Sequence, residues 1–431
     1  MSADAFVITG GKALSGVLKV SGNKNAALPM IAAALLTSEK VRIENVPDIQ
    51  DVRNMLAALS SFGVKVSKDL NNAVVEITAK NVRRRSIDRE LAAKIRTSIL
   101  FAGPLLSRFG KAVLPPPGGD AIGHRRLDTH FEGFKALGAK AVMGKRTLSF
   151  SGSLKGAEIL LDEASVTATE NILMACVLAK GETIIYNAAS EPHVVDLARM
   201  LCAMGAKIEG AGTNRIRVEG VESLGGCVVR VGCDYIEAGS YIAAAAVTFG
   251  QITLENIDPE PFKVLEKPFA RFGVFWDIDE CAKTLVTKPI KKSSLKMKYD
   301  LGDVIPSISD GPWPQFPSDM MSVLIVLASQ ARGTCLFFEK MFESRLYFVD
   351  KLRQMGAKII QCDPHRVVVT GPSQLVASNV SSPDIRAGIA LVIAALAAKG
   401  MTVIKGASMV DRGYASVEKT LRRLGCDIER K

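Results

Sequence analysis

The sequence predicts an α/β protein of two domains, each made of three copies of one module packed around buried helices. Three observations predict it. A short phrase recurs six times, as SSFGVKV, KALGAKA, CAMGAKI, ARFGVFW, RQMGAKI and RRLGCDI, with its glycine at 63, 138, 205, 273, 356 and 425. Intervals of 67 to 83 residues are the size of one supersecondary unit. Each phrase closes an amphipathic segment and opens a β-rich one. Between the phrases lie segments that are almost wholly apolar, such as AALPMIAAALL, GSYIAAAAVTF and IRAGIALVIAALAA, and a helix apolar all round must be buried.

Taken in order, each module justifies its elements. A strand such as VRIENV, TIIYNA, ITLENI or TVIKGA comes first, rich in β-branched residues. In DVRNMLAALSSFG and SVEKTLRRLG, apolar residues then fall at three- and four-residue spacing, and glycine ends the helix in a left-handed conformation. NAVVEIT, NRIRVEG and HRVVVTG supply the following strand, and the apolar helix completes the unit. Six such units divide into two domains of three.

Composition excludes several classes. With 431 residues, 48% hydrophobic and 23% charged, the chain has the proportions of a globular protein of two or three domains. Its longest wholly apolar run, Ile389 to Ala398, falls far short of the roughly 18 residues of a membrane span, so no membrane insertion is expected. The start MSADAFVITGG has no basic stretch followed by an apolar block, so a cytoplasmic location is expected. Eight cysteines (176, 202, 227, 233, 281, 335, 362 and 426) show no C-x-x-C pair and read as reduced core thiols. The four histidines have no i, i+4 spacing, and no structural metal is expected. A net charge of +11 favours anionic partners, but aromatic residues at 6% and the lack of a basic stripe interleaved with them argue against nucleic acid. The basic runs 80–90 and 288–298 read as solvated faces or loops rather than binding patches.

Several short stretches could carry chemistry. SGNKNAALP is a turn leading into a buried helix with Lys24 at its mouth, where amide groups and the helix dipole favour an anion; the alternative is a capped helix whose lysine points into water. KIRTSILFAGPLL places Arg96 one turn into an apolar helix, where it needs a ligand or a salt bridge. PQFPSDMMSVLIVLA sets Asp319 at the start of another, as a cap or as a general base at a pocket. FESRLYFVDKL, SSPDIRAGIAL and MVDRGYASVEK put Arg345, the Asp384/Arg386 pair and Arg412 at turns into helices; each reads as a salt-bridged cap alone, and together they would line an electropositive cleft. LPPPGGDAIGHRRLDTH, residues 114–130, presents Asp120 alone ahead of His124, Arg125 and Arg126.

Taken together, SGNKNAALP, PGGDAIGHRRLDTH, SVTATENILMA, FPSDM, FESRLYFVDKLRQMGA, PDIRAG and DRGYASVEKTLRRLG resemble the UDP-N-acetylglucosamine enolpyruvyl transferases, in order, from about residue 6 onward. The resemblance implies the two-domain enolpyruvyl transferase fold, an inside-out α/β barrel with three βαβαββ-type units per domain. The first domain would run from 24 to 232 and carry the catalytic loop 114–130. The second would join 1–23 to 233–431, with the active site in the interdomain cleft. The implied reaction moves the enolpyruvyl group of phosphoenolpyruvate to the 3′-hydroxyl of UDP-N-acetylglucosamine and releases phosphate, with no metal or organic cofactor.

Carried over residue by residue, the resemblance gives Lys24, Arg125 and Arg412 the grip on phosphoenolpyruvate, with Asn25 close by. Arg96, Arg125, Arg126, Leu127, Asp128, Thr129, Ser165, Val166 and Met341 would contact the nucleotide sugar, and Asp319 would face the attacking hydroxyl. Arg345, Asp384 and Arg386 would complete the charged cleft, and Asp120 would give or relay a proton. Three positions depart from the family pattern. Asp120 stands where most members have cysteine, which implies insensitivity to the thiol-directed epoxide fosfomycin. Thr167 replaces a glycine after Ser165 and Val166, and the segment 288–315 is longer than usual. Rival readings are an enolpyruvyl transferase with another acceptor, nucleotide or shikimate 3-phosphate, and a silent basic binding protein.

Overall fold

The computed structural model describes residues 4–84, 86–119 and 122–431. They form two compact units: unit I comprises Gly22–Asp120 and Arg125–Gly232, and unit II comprises Met1–Ser21, Ala121–His124 and Cys233–Lys431.

Each unit holds three sheets, and the last module of unit I shows the common plan. A strand Glu182–Tyr186 leads to the amphipathic helix Pro192–Ala203, which is followed by the strands Lys207–Glu209, Arg215–Glu219 and Cys227–Arg230. The helix stops where its apolar stripe stops. All six repeat glycines have φ between 77° and 106°, a region closed to most side chains, and so turn the chain back towards the sheet.

Sheets are linked module to module by parallel pairs. Ile185 lies opposite Ile159, Phe337 opposite Ile308 and Ile404 opposite Val380. Parallel neighbours cannot be joined by a hairpin, and the crossover is in each case an apolar helix: Val166–Cys176, Met321–Gln330 and Ile385–Ala397. These helices are buried almost throughout, with Met321 to Ser329 and Ile385 to Leu396 inaccessible without a break. Lys24–Ala33 and Tyr235–Val247 are their counterparts after the strands Ser15–Lys19 and Cys227–Arg230. Those two strands pair in parallel with Gln251–Glu255 in unit II and Lys40–Glu44 in unit I. The sheet order of unit II also joins distant sequence, because Ala5–Thr9 lies between Met401–Lys405 and Asp427–Arg430.

Two expectations need correction. The segment around Arg96 is not one apolar helix. The helix Arg89–Lys94 ends at an extended Ile95, Arg96 opens a 3-10 turn, and a helix resumes at Ala102. The Ser98 hydroxyl bonds the carbonyls of Ala92 and Ile95, competing with the helical ladder at the break. The core-thiol reading holds for Cys176, Cys233, Cys335 and Cys426 but fails for Cys202, Cys281 and Cys362, which are exposed. Cys202 lies on the outward side of its amphipathic helix, Cys281 in a turn, and Cys362 on an outward pleat. The basic run 288–298 is irregular with its lysines solvated, as the sequence suggests, while Leu295 and Met297 are buried in the core of unit II. Among the described residues no helix is long and apolar enough to cross a membrane.

Candidate active site

In unit II the chemistry gathers on Asp319. The residue follows Pro317 in the 3-10 turn Ser318–Met320, just ahead of the buried helix Met321–Gln330, and neither element takes a side-chain cap. Its carboxylate instead accepts from two guanidiniums, Arg345 Nη2 at 3.1 Å and Arg386 Nη2 at 2.8 Å. With 27% of its side chain exposed, Asp319 is the accessible member of the trio; Arg345 and Arg386 keep only 5% and 8%.

Each arginine is placed by the local fold. Arg386 is the second residue of the helix Ile385–Ala397, and the Asp384 carboxylate caps that helix by accepting from the backbone amides of Arg386 and Ala387. The guanidinium of Arg386 also donates to the Tyr414 hydroxyl at 3.2 Å, which in turn meets Ser240 Oγ at 2.9 Å. Burial opposes its charge, but Asp319, Tyr414 and Asp234 outweigh burial and hold the group more firmly cationic than an ordinary arginine. The phenol of Tyr414 is pushed up to about 12, chiefly by burial. Arg345 lies over the Phe342 ring at 5.1 Å, and its Nε is 3.8 Å from Glu339 Oε2. Arg412 sits half-buried in the turn before Tyr414, with Nη1 3.5 Å from Met409 Sδ. Met341 is 40% exposed, and its amide donates to Glu339.

In unit I the arrangement starts from Lys24. Asn23 caps the helix Lys24–Ala33 by accepting from the amides of Asn25 and Ala26, at 2.7 and 3.2 Å. Lys24 does not point into water: it is buried, with Nζ 2.7 Å from Asp51 Oδ2 in the first turn of the helix Gln50–Ser61. Asp51 had no distinguishing signal, because an acid in the first turn of an amphipathic helix is what the helix dipole alone would favour.

Arg96 is held by backbone oxygens rather than by a carboxylate. Its Nη2 donates to the backbone carbonyls of Arg125 and Arg126, at 2.7 and 3.0 Å, and so ties down the end of the Pro/Gly loop. Burial, then the charge of Arg125, lowers its pKa to about 10. Arg126 pairs with Asp128 and Asp162, at 3.2 and 3.0 Å, and the Thr129 hydroxyl donates to Asp162 at 2.7 Å. Leu127 precedes the helix Asp128–Ala136, and Ser165 and Val166 open the helix Val166–Cys176, whose first turn has no side-chain cap. Thr167, the departure from the family pattern, has a partner: its hydroxyl lies 3.2 Å from Nε2 of the buried His130, whose Nδ1 meets Asn171 at 3.1 Å. Burial, then the charge of Arg96, pushes His130 down to about 3, so its ring is neutral. Asp120 lies outside the described residues. Beyond it, the His124 amide donates to Glu343 at 2.7 Å and the Ser344 amide to the Ile122 carbonyl at 3.1 Å, both within unit II.

The structure thus joins Asp319, Arg345 and Arg386 directly, binds Arg96 to the backbone carbonyls of Arg125 and Arg126, and ties Arg126 and Thr129 together through Asp162. Sequence reasoning missed Asp51, Asp162, Glu339 and Tyr414. Of these only Tyr414 carried a hint, lying two residues beyond Arg412 in DRGYASVEK.

Comparison with known proteins follows the same lines. The family described as EPSP synthase (3-phosphoshikimate 1-carboxyvinyltransferase) matches residues 8–421. A protein of Treponema denticola named UDP-N-acetylglucosamine 1-carboxyvinyltransferase is 49% identical over 99% of both chains. One of the same name from Borreliella burgdorferi is 48% identical, again over 99% of both. Among solved structures, the enolpyruvyl transferase NikO from Streptomyces tendae superposes with a TM-score of 0.86 at 23% identity, covering 99% of each chain, a likeness of fold.

Proposed function

The chain belongs to the enolpyruvyl transferase family, and from that membership we propose that it transfers the enolpyruvyl group of phosphoenolpyruvate to the 3′-hydroxyl of UDP-N-acetylglucosamine, releasing phosphate. This is the first committed step towards peptidoglycan. The observation that carries the reading is identity of 48 to 49% across essentially the whole chain with proteins of that name. The Asp319 trio supports it, because a carboxylate held by two buried guanidiniums is a base of fixed orientation.

In this reading an acid protonates the methylene carbon of phosphoenolpyruvate, leaving the neighbouring carbon cationic. The sugar 3′-hydroxyl attacks that carbon while Asp319 accepts its proton. The tetrahedral adduct then loses phosphate together with one proton of the new methyl group, restoring the double bond. Asp120 is the proton carrier. Lys24, Arg125 and Arg412 neutralise phosphate and carboxylate, with Asn25 beside them, and Lys24 exchanges part of its contact with Asp51 for the ligand's charge. Arg96, Arg125 to Thr129, Ser165, Val166 and Met341 hold the nucleotide sugar, and the open first turn at Ser165 suits its diphosphate. Phosphoenolpyruvate and sugar nucleotides place the reaction in the cytoplasm.

The test is to incubate the protein with phosphoenolpyruvate and UDP-N-acetylglucosamine and to measure phosphate and the mass of the product. Shikimate 3-phosphate serves as the competing acceptor. Phosphate released with that acceptor and not with the sugar nucleotide would overturn the assignment. Asp120 also leads us to infer intrinsic insensitivity to fosfomycin, since a carboxylate opens an epoxide far less readily than a thiolate. Asp120→Cys should remain active and become sensitive with time. Because Cys202, Cys281 and Cys362 are exposed, the readout has to be turnover rather than thiol labelling.

A further inference from the structure

Asp310 and Glu339 continue two neighbouring parallel strands of unit II, Ser307–Ser309 and Gly333–Phe338. Ser309 pairs with Phe338, so the next residue of each strand stands level with the other, and two acids face one another across the ladder. Both are fully buried, at 0% exposure. Like charges so placed repel, and in an interior of low polarity both cannot ionise.

The hydrogen bonds agree. Asp310 Oδ1 accepts the Lys340 amide at 2.6 Å, and Glu339 Oε1 accepts the amides of Met341 and Phe342 at 3.2 and 3.1 Å. The Ser318 hydroxyl lies 2.8 and 3.0 Å from the two oxygens of Glu339. Asp310 Oδ2 is buried, and among the described residues no donor group reaches it. A proton held between the carboxyl groups would supply that donor. Burial, then the hydrogen bond to Asp310, pushes Glu339 well above the usual carboxyl range.

We propose that Asp310 and Glu339 share one proton, and that the singly charged pair positions Asp319 by two routes. One route runs through Arg345, whose Nε faces Glu339 while its Nη2 holds Asp319. The other runs through Ser318, the chain neighbour of Asp319, whose hydroxyl anchors the 3-10 turn on Glu339. With one proton, the two negative charges of the pair and Asp319 balance Arg345 and Arg386. Removing that proton draws Arg345 towards Glu339 and away from Asp319; adding a second leaves Arg345 to Asp319 alone. Among the described residues Lys340, whose amide meets Asp310, and His365, whose Nδ1 lies 2.7 Å from the Glu339 carbonyl, are further titratable groups beside the pair. The proposal rests on the reading of Asp319 as the base.

Two variants test it. Asp310→Asn replaces the shared proton with an amide N–H and leaves Glu339 the sole charge. Asp310→Asn combined with Glu339→Gln removes the charge altogether. In infrared difference spectra at neutral pH, wild type minus Asp310→Asn should show a protonated carboxyl band. The kcat profile of the wild type should fall at alkaline pH as the pair loses its proton, and this limb should vanish in Asp310→Asn. The double variant should lie about tenfold or more below Asp310→Asn in kcat, with KM for both substrates little changed. Absence of the carboxyl band, or an alkaline limb that persists in Asp310→Asn, would overturn the shared proton. Equal kcat in the two variants would overturn the positioning role, and should the double variant fail to fold, the spectrum and the pH limb still decide. If Asp319→Asn kept full turnover, the base reading would fail while the infrared result stood independently.

Discussion

Lys24 in unit I and Asp319 in unit II occupy the same architectural place, at the entrance to a buried apolar helix, yet their surroundings are inverted. Lys24 is a buried cation whose ammonium meets the Asp51 carboxylate at 2.7 Å. Asp319 is a partly exposed carboxylate with two buried guanidiniums, Arg345 and Arg386. A lysine ammonium has three donors in mobile geometry, and a ligand's anion can share them with Asp51. A carboxylate gripped from both sides keeps its direction, as the proposed role of Asp319 requires. One module position therefore suits either an exchangeable charge or a fixed one, according to the chemistry and stiffness of the groups that meet there.

The comparison breaks most visibly at Asp319. Asp319→Asn should bind both substrates but lose about 10²-fold or more in kcat; steady-state assays that find turnover unchanged would reduce it to a structural residue. Next comes the pair in unit I. Asp51→Ala removes a carboxylate from a buried ion pair and should destabilise the protein by about 3 kcal/mol in urea unfolding, whereas an exposed pair would scarcely register. Arg412→Ala should raise the KM for phosphoenolpyruvate, since a charge-assisted contact to phosphate contributes on the order of 1.5–3 kcal/mol. An effect confined to the nucleotide sugar would move Arg412 to the other substrate.

The smallest effect sharpens the contrast through pH. In unit I, His130 is held neutral with a pKa lowered from 6.5 to about 3. The unfolded chain then binds the extra proton, so this contribution to stability is present above about pH 6.5 and is lost as pH falls towards 3. In unit II, Glu237 is raised from 4.5 to about 7, mainly by burial and then by Asp234. Here the native state holds the extra proton, so stability declines as pH rises from 4.5 through 7. Thermal melts across this range should show the acid limb flattened in His130→Asn and the neutral limb flattened in Glu237→Gln.

Much of this fold was legible because its punctuation repeats. A glycine after each amphipathic helix marks a left-handed stop, and no side chain competes for that role. The parallel links between modules were not legible, because strands as short as Glu158–Leu160, Ser307–Ser309 and Asn379–Ser381 carry too few residues to show a period. At the site, the cations announced themselves by standing at turns beside apolar runs. What they bind did not: Asp51 is 27 residues from Lys24, and Arg96 is held by carbonyl groups, which every residue possesses. Asp310 and Glu339 were hidden for a further reason, since their meaning lies in a strand register that neither segment encodes alone.

The placing of Ala5–Thr9 between Met401–Lys405 and Asp427–Arg430 has a consequence for the order of assembly. As the chain leaves the ribosome, every segment of unit I is available once Gly232 has emerged, and it can collapse on its own contacts. The first strand of unit II must wait for partners made some 400 residues later, with the entropy of a very long loop still to be overcome. Unit I should therefore mature during synthesis. Unit II, with Asp319 and both its arginines, should be completed only after Asp427–Arg430 has emerged, so the Asp319 carboxylate is fixed in place later than any part of unit I.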